Sequence, residues 1–202
     1  MRSHAGLVSR IGFLALLGAA SLFVNLQAAR AQETIFTFNP SAATVHFTLG
    51  ATLHTVHGTM RLKSGEIRFN AATGTASGEV VVDATSAETG NQSRDKKMHR
   101  EVLQSARYPR IVFNAQHVSG ALQPAGSSQL QLVGTFELDG RTHPMTLSVS
   151  IDREPNAEVR AKAVFAIPYI QWGLKNPSTL FLRVSDHVDM EIDAVGQLKP
   201  AH

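Results

Sequence analysis

From about Thr34 onward, hydrophobic positions recur at every second residue. Val45, Phe47 and Leu49 alternate with Thr44, His46 and Thr48. Leu130, Leu132, Phe136 and Leu138 share one parity, with Gly134 as a break that marks a bend. Met145, Leu147, Val149 and Ile151 oppose Thr146, Ser148, Ser150 and Asp152. Val159, Ala161, Ala163, Phe165 and Ile167 oppose Glu158, Arg160 and Lys162, and Val188, Met190, Ile192 and Ala194 oppose Asp189, Glu191 and Asp193. Residues two apart on a strand share a face, so the pattern predicts long antiparallel strands with one wet and one dry side. Asp139-Gly140 between two such runs is a strong tight-hairpin signal. Ser64-Gly65 and Ala72-Thr73-Gly74 are weaker turn signals. No linker, internal repeat or low-complexity tract divides the chain.

The β pattern breaks once, over Ser86–Phe113. Thr89-Gly90-Asn91 supplies turn chemistry, Ser93 is the expected N-cap, and Asp95 falls in the first turn. Met98, Val102 and Leu103 then follow at helical spacing, predicting a short helix over about Ser93–Leu103. Pro109 stops it, and Ile111-Val112-Phe113 resumes β. Period two is shared by sandwiches and barrels. Long strands, one short mid-chain helix and the need to protect exposed edges favour an all-β, antiparallel up-and-down barrel with the helix covering one end.

Charge and the N-terminus alter this picture in one respect. Arg2 and Arg10 precede an apolar stretch over Ile11–Leu26, and Ala29-Arg30-Ala31 places small residues at both specificity positions of a signal-peptidase site. The expected organisation is a cleavable signal peptide over residues 1–31 and one domain over residues 32–202, with a short membrane anchor as the competing reading. Loss of Arg2, Arg10 and Arg30 would reduce 19 basic residues to 16, against 16 acidic ones. The basic character of the full chain therefore gives no support to nucleic-acid binding. One imbalance survives, in Arg94–Arg110, where six cations face Asp95 and Glu101. It reads either as a solvated helix face with pairs such as Lys97–Glu101, or as a basic collar for an anionic headgroup or membrane surface. The chain has no cysteine, so about 170 residues must be held by core burial alone, which is ample for one domain. The expected product is soluble and periplasmic or secreted.

The residues of the break also carry a family pattern. Thr89-Gly90-Asn91, Arg94-Asp95, Tyr108-Pro109 and Phe113, in that order, resemble the YceI-like proteins, and the resemblance extends from about Thr34 to Leu198. That family implies a periplasmic, lipocalin-like barrel holding a polyisoprenoid tail lengthwise. The dry parity would then line a cavity, through Phe47, Leu49, Phe113, Phe136, Leu138, Met145, Leu147, Phe165 and Ile167, although ordinary core packing accounts for any one of them. Met98 and Val102 would face the mouth from the helix; Trp172 would either line the pocket or cap one barrel end. Arg94, Asp95, Lys97 and Arg100 are the expected rim, either contacting the headgroup or holding the helical flap against the barrel. Tyr108-Pro109 would fix the chain's return into the barrel. Lys96-Lys97-Met98-His99 is more basic than the family pattern, which bears on headgroup preference.

Enzyme chemistry finds little support. There is no Gly-x-Ser-x-Gly elbow and no glycine-rich phosphate loop. His54 and His57 are three apart, so on a strand they point to opposite faces; His46, His117, His143 and His187 are scattered singly. Asp189, Glu191 and Asp193 occupy the wet parity. No catalytic residue, metal or catalytic cofactor is expected. The expected partner is an isoprenoid lipid, either a quinone or a polyprenyl phosphate, with transient membrane-surface contact and room for a homodimer at an open barrel end. The rival expectation is a stress-related structural barrel with a filled core, acting through a protein or membrane surface.

Overall fold

The computed structural model describes residues 33–153, 158–178 and 183–201; the expected signal peptide lies outside them. Eight antiparallel strands follow the alternating runs: β1 Thr34–Leu49, β2 Val56–Asn70, β3 Thr75–Glu88, β4 Arg110–Gly120, β5 Gly126–Leu138, β6 Arg141–Arg153, β7 Val159–Ile167 and β8 Val188–Pro200. Each pairs with its neighbours in chain order, and β1 pairs with β8, so the sheet is a closed up-and-down barrel. The β2–β3, β4–β5 and β6–β7 connections and the outer ends of β1 and β8 share one end, called here the turn end. The β1–β2, β3–β4, β5–β6 and β7–β8 connections share the opposite, flap end. Among the described residues no helix is long and apolar enough to cross a membrane.

Helix α1 spans Gln92–Lys97 and continues as a π-helical turn over Met98–Val102, closed by Leu103 N–H donating to the Met98 carbonyl at 2.9 Å. The expected cap at Ser93 is displaced by two residues. Asn91 is the N-cap, because its Oδ1 accepts from the Arg94 N–H at 3.0 Å while its own backbone stays extended. Asp139 and Gly140, both at positive φ (52° and 69°), make the β5–β6 hairpin, and Gly74 closes the β2–β3 turn.

Ser64-Gly65 is not a turn: β2 runs straight through it, with a register shift between Leu62 and Ser64. Gly65 instead marks a close approach. A Cβ there would fall 2.6 Å from Cδ2 of Phe38, so the glycine makes room for an inward aromatic ring. The same device recurs twice on β1: the Phe36 ring lies over Gly196 of β8, and the Phe47 ring lies over Gly58 of β2.

The dry parity serves two purposes. Towards the turn end, Phe36, Phe69, Val118, Leu130, Ile151 and Val159 are buried against one another and fill the barrel. Towards the flap end the interior remains open. The wall has a seam between β6 and β7. The β6–β7 ladder runs only from Val149/Ala163 to Arg153/Val159, leaving the first half of β6 without β7 partners. There, the His143 ring stacks on Trp172 (centroids 4.2 Å apart, planes within 1°), and Trp172 in turn packs on Phe136 at 5.7 Å. Arg141 holds this arrangement by donating from Nη1 to the Trp172 carbonyl at 3.0 Å.

Gly140→Ala strains a left-handed position and drives a methyl into the Tyr108 ring; it should lower stability by about 1–3 kcal/mol in denaturant titrations. Burial, and then the Arg141 charge, holds the His143 ring below its ordinary pKa of 6.5. The unfolded chain therefore takes up this proton first, and the neutral ring's contribution is complete above pH 6.5 and lost as pH falls through the folded value. His143→Phe, which keeps the stack, should flatten the decline of melting temperature on acidification below that pH. Parallel wild-type and mutant curves would refute the linkage.

Candidate functional site: an apolar cavity beneath a two-part lid

The open half of the barrel is a cavity of about 560 Å³, within the usual range of small-molecule sites. Its walls are the inward residues of all eight strands. Phe47, Leu49, Phe113, Phe136, Leu138, Leu147, Phe165 and Ile167 line it, as do Met98 and Val102 from the π-turn. Met145 does not: it is half-buried against the core outside the cavity. Trp172 also stands one layer behind, screened by Phe136 and His143. Sequence reasoning left out Val45, Val149, Met190 and Ile192, which carry the same parity signal, and Tyr169 and Leu174, which come from an irregular segment with no periodic signal at all.

Polar lining is confined almost wholly to the mouth. His54, Thr89, Ser93, Arg94, Lys97 and Tyr169 border that end; Lys162 also touches the cavity, but its half-exposed ammonium lies on the wet face of β7, paired with Glu191 at 2.6 Å. The rim residues divide by role. Asp95 accepts from both the N–H and the hydroxyl of Thr89, and Arg94 donates from Nε to the Thr89 hydroxyl at 2.7 Å and from Nη2 to its carbonyl at 3.0 Å. These two neighbours therefore grip one residue and fix the angle at which the flap leaves β3. Arg94 also lines the cavity; Asp95 does not. Arg100 points away, largely exposed, and pairs with Glu101. Lys97 lines the cavity and forms no ion pair among the described residues. The expected Lys97–Glu101 pair is absent because Glu101 is taken by Arg100 and by Lys175 at 2.7 Å.

The lid has two parts. His99 pins the first, the flap, to β3: Nε2 donates to the Ala87 carbonyl at 2.8 Å, so Nδ1 is the acceptor facing the buried Ser105 hydroxyl at 2.8 Å. The second part is the β7–β8 connection, which supplies Tyr169, Leu174, Pro177 and Val184 to the cavity. Tyr169 is buried, and burial followed by the Asp186 charge raises its pKa; its hydroxyl donates to the Ser185 carbonyl at 2.6 Å. This connection is tied across the mouth by the Ala51–Val184 bridge and by Thr52 N–H donating to the Arg183 carbonyl at 2.9 Å. Glu101–Lys175 joins the two parts, and these cations hold the Glu101 carboxyl down to about 2.

The histidines do not converge. His54 lines the mouth, whereas His57 lies on the outer wall beside the Thr48 hydroxyl at 3.2 Å. Among the described residues, no three His, Cys, Asp or Glu side chains group as a metal site.

Solved structures share this architecture at low identity. BcnA from Burkholderia cenocepacia matches with a TM-score of 0.62 at 14% identity, covering 78% of this chain and 98% of that one. A domain from Saccharophagus degradans, described as polyisoprenoid-binding and implicated in plant cell wall breakdown, matches with a TM-score of 0.59 at 14% identity, covering 81% and 98%. The YCEI protein of Campylobacter jejuni matches with a TM-score of 0.54 at 16% identity, covering 75% and 88%. No curated protein gives a significant sequence match. The YceI-like domain matches residues 36–196, and on that match the chain belongs to the YceI-like family.

Proposed function

We propose that this protein sequesters or carries a polyisoprenoid lipid, holding the tail in the barrel without transforming it, in the periplasm or outside the cell after removal of residues 1–31. The observation that carries this reading is the cavity itself, apolar along its walls, filled at the turn end and polar only near the mouth. The polyisoprenoid-binding description of the Saccharophagus degradans domain is consistent with it. Each five-carbon unit buried contributes roughly 3–4 kcal/mol of gross transfer energy, at about 0.8 kcal/mol per CH₂. Several units exceed any rim contact even after ordering costs, so tail burial dominates affinity and the headgroup sets orientation. The rival reading of a wholly filled barrel meets an interior that is filled only at one end.

At the mouth, Arg94 is already engaged with Thr89, so Lys97 is the cation left for a headgroup. An ammonium serves an anionic phosphate as a point charge, and contributes less to a neutral quinone carbonyl.

Organic extraction of the purified protein followed by mass spectrometry should yield a stoichiometric polyprenyl species. A clean extract, together with no uptake of added quinone, would sink the carrier reading. Lys97→Ala should weaken a polyprenyl phosphate roughly three- to tenfold more than a quinone of equal tail length. Equal losses would remove the headgroup role from Lys97.

A further inference from the structure

Along β1 the cavity ends at two aromatic rings in edge-to-face contact. Phe38 is its deepest residue on β1, and the ring lies directly over Gly65 of β2. Phe36 meets the Phe38 ring edge to face, with centroids 4.6 Å apart and planes at 83°. Phe36 is buried and does not line the cavity. Its own ring lies over Gly196 of β8, where a Cβ would come 2.6 Å from Cζ. The pair is therefore seated on both neighbouring strands and backed by the packed turn end. A register shift in β1 just beyond Phe38, before Ala43 on the β8 side, releases the strand from strict alternation at this level.

We infer that Phe38, seated on Gly65 and braced by Phe36, is the floor that sets the length of tail this barrel accepts. The inference rests on the lipid-carrier reading and adds the ligand's size class to it. At about 30 Å³ per non-hydrogen atom, the share a water molecule takes in the liquid, the cavity of 560 Å³ holds roughly twenty such atoms. That is about four isoprene units on the same measure. A tail of this length fills the open half, and a longer one leaves its excess outside the mouth, because the route onward is occupied by packed side chains. Phe38 determines the limit on the β1 wall because it is the last lining residue before the packed Phe36, with Ile67 beside it on β2. Gly65 determines how far down that ring can lie.

The test uses a delipidated preparation of the folded chain and prenyl alcohols differing only in length: geraniol, farnesol, geranylgeraniol and solanesol. Affinity is read by displacement of a bound fluorescent probe in a fixed detergent. Wild type should gain at least tenfold from geraniol to geranylgeraniol and nothing further with solanesol. Phe38→Ala removes the floor's upper layer and should move the optimum to longer tails. Gly65→Ala pushes the ring up into the cavity and should move it to farnesol. Phe38→Leu, which keeps more of the core volume, should shift the profile in the same direction as the alanine variant if the latter folds poorly. Wild-type affinity that keeps rising to solanesol, or length profiles that coincide in all variants, would overturn the floor while leaving the carrier reading intact. Failure of every alcohol to displace the probe would remove the carrier reading, and the floor with it.

Discussion

The ladder between β1 and β8 is the constraint on which the rest of this molecule depends. It joins the first strand to the last, from Thr34/Pro200 to Thr48/Asp189, and closes a long sheet into a wall whose β1 and β8 have no free edge. Closure gives every inward residue a defined neighbour across the interior. It also makes the architecture non-local: no enclosed space exists until the C-terminal strand has docked. Folds dominated by such pairings form slowly, since loop-closure entropy is spent before the contacts reward it. With no cysteine in the chain, nothing covalent assists that step.

Within the closed wall, glycine and phenylalanine divide the interior between packing and vacancy. Phe36, Phe38 and Phe47 project inward from β1, and each is accommodated by a glycine on an adjacent strand. Each ring is therefore seated on a neighbouring strand at its glycine. Near the turn end the rings meet other buried side chains and close the space. Near the flap end the same arrangement leaves Phe47 as part of a lining. One residue pattern thus yields a solid half and a hollow half, and the difference comes from what approaches across the barrel.

The strands were legible because period two is imposed on every half-buried strand. The parity written in Val45–Leu49 and Val188–Ala194 is the parity the barrel uses. Asp139-Gly140 was legible because a two-residue hairpin demands positive φ at both positions. Gly65 misled because a glycine that admits an aromatic ring looks the same in sequence as one that bends the chain. Ser93 misled for a similar reason: Asn91 is an equally good cap, and the choice depends on where β3 releases the chain. Tyr169, Leu174 and Trp172 belong to a segment whose shape is set by what it rests on. Their positions around the mouth depend on contacts with Ser185, Arg141 and His143, remote enough in sequence to leave no local pattern.

The two ends of the barrel are held by different kinds of bond. The wall is a continuous ladder, and breaking it means unfolding the domain. The lid is joined by a few side-chain contacts (Glu101–Lys175, Gln104–Asp139, Arg141 on the Trp172 carbonyl, and His99 on Ala87) and by the short backbone bridge at Ala51–Val184. Local opening draws on the weakest cooperative unit rather than on global stability. The contacts at the mouth are therefore of a kind that breaks separately from the eight-strand ladder. On the carrier reading, residence of a guest and survival of the fold would be separate clocks, the first set by the lid and the second by the ladder.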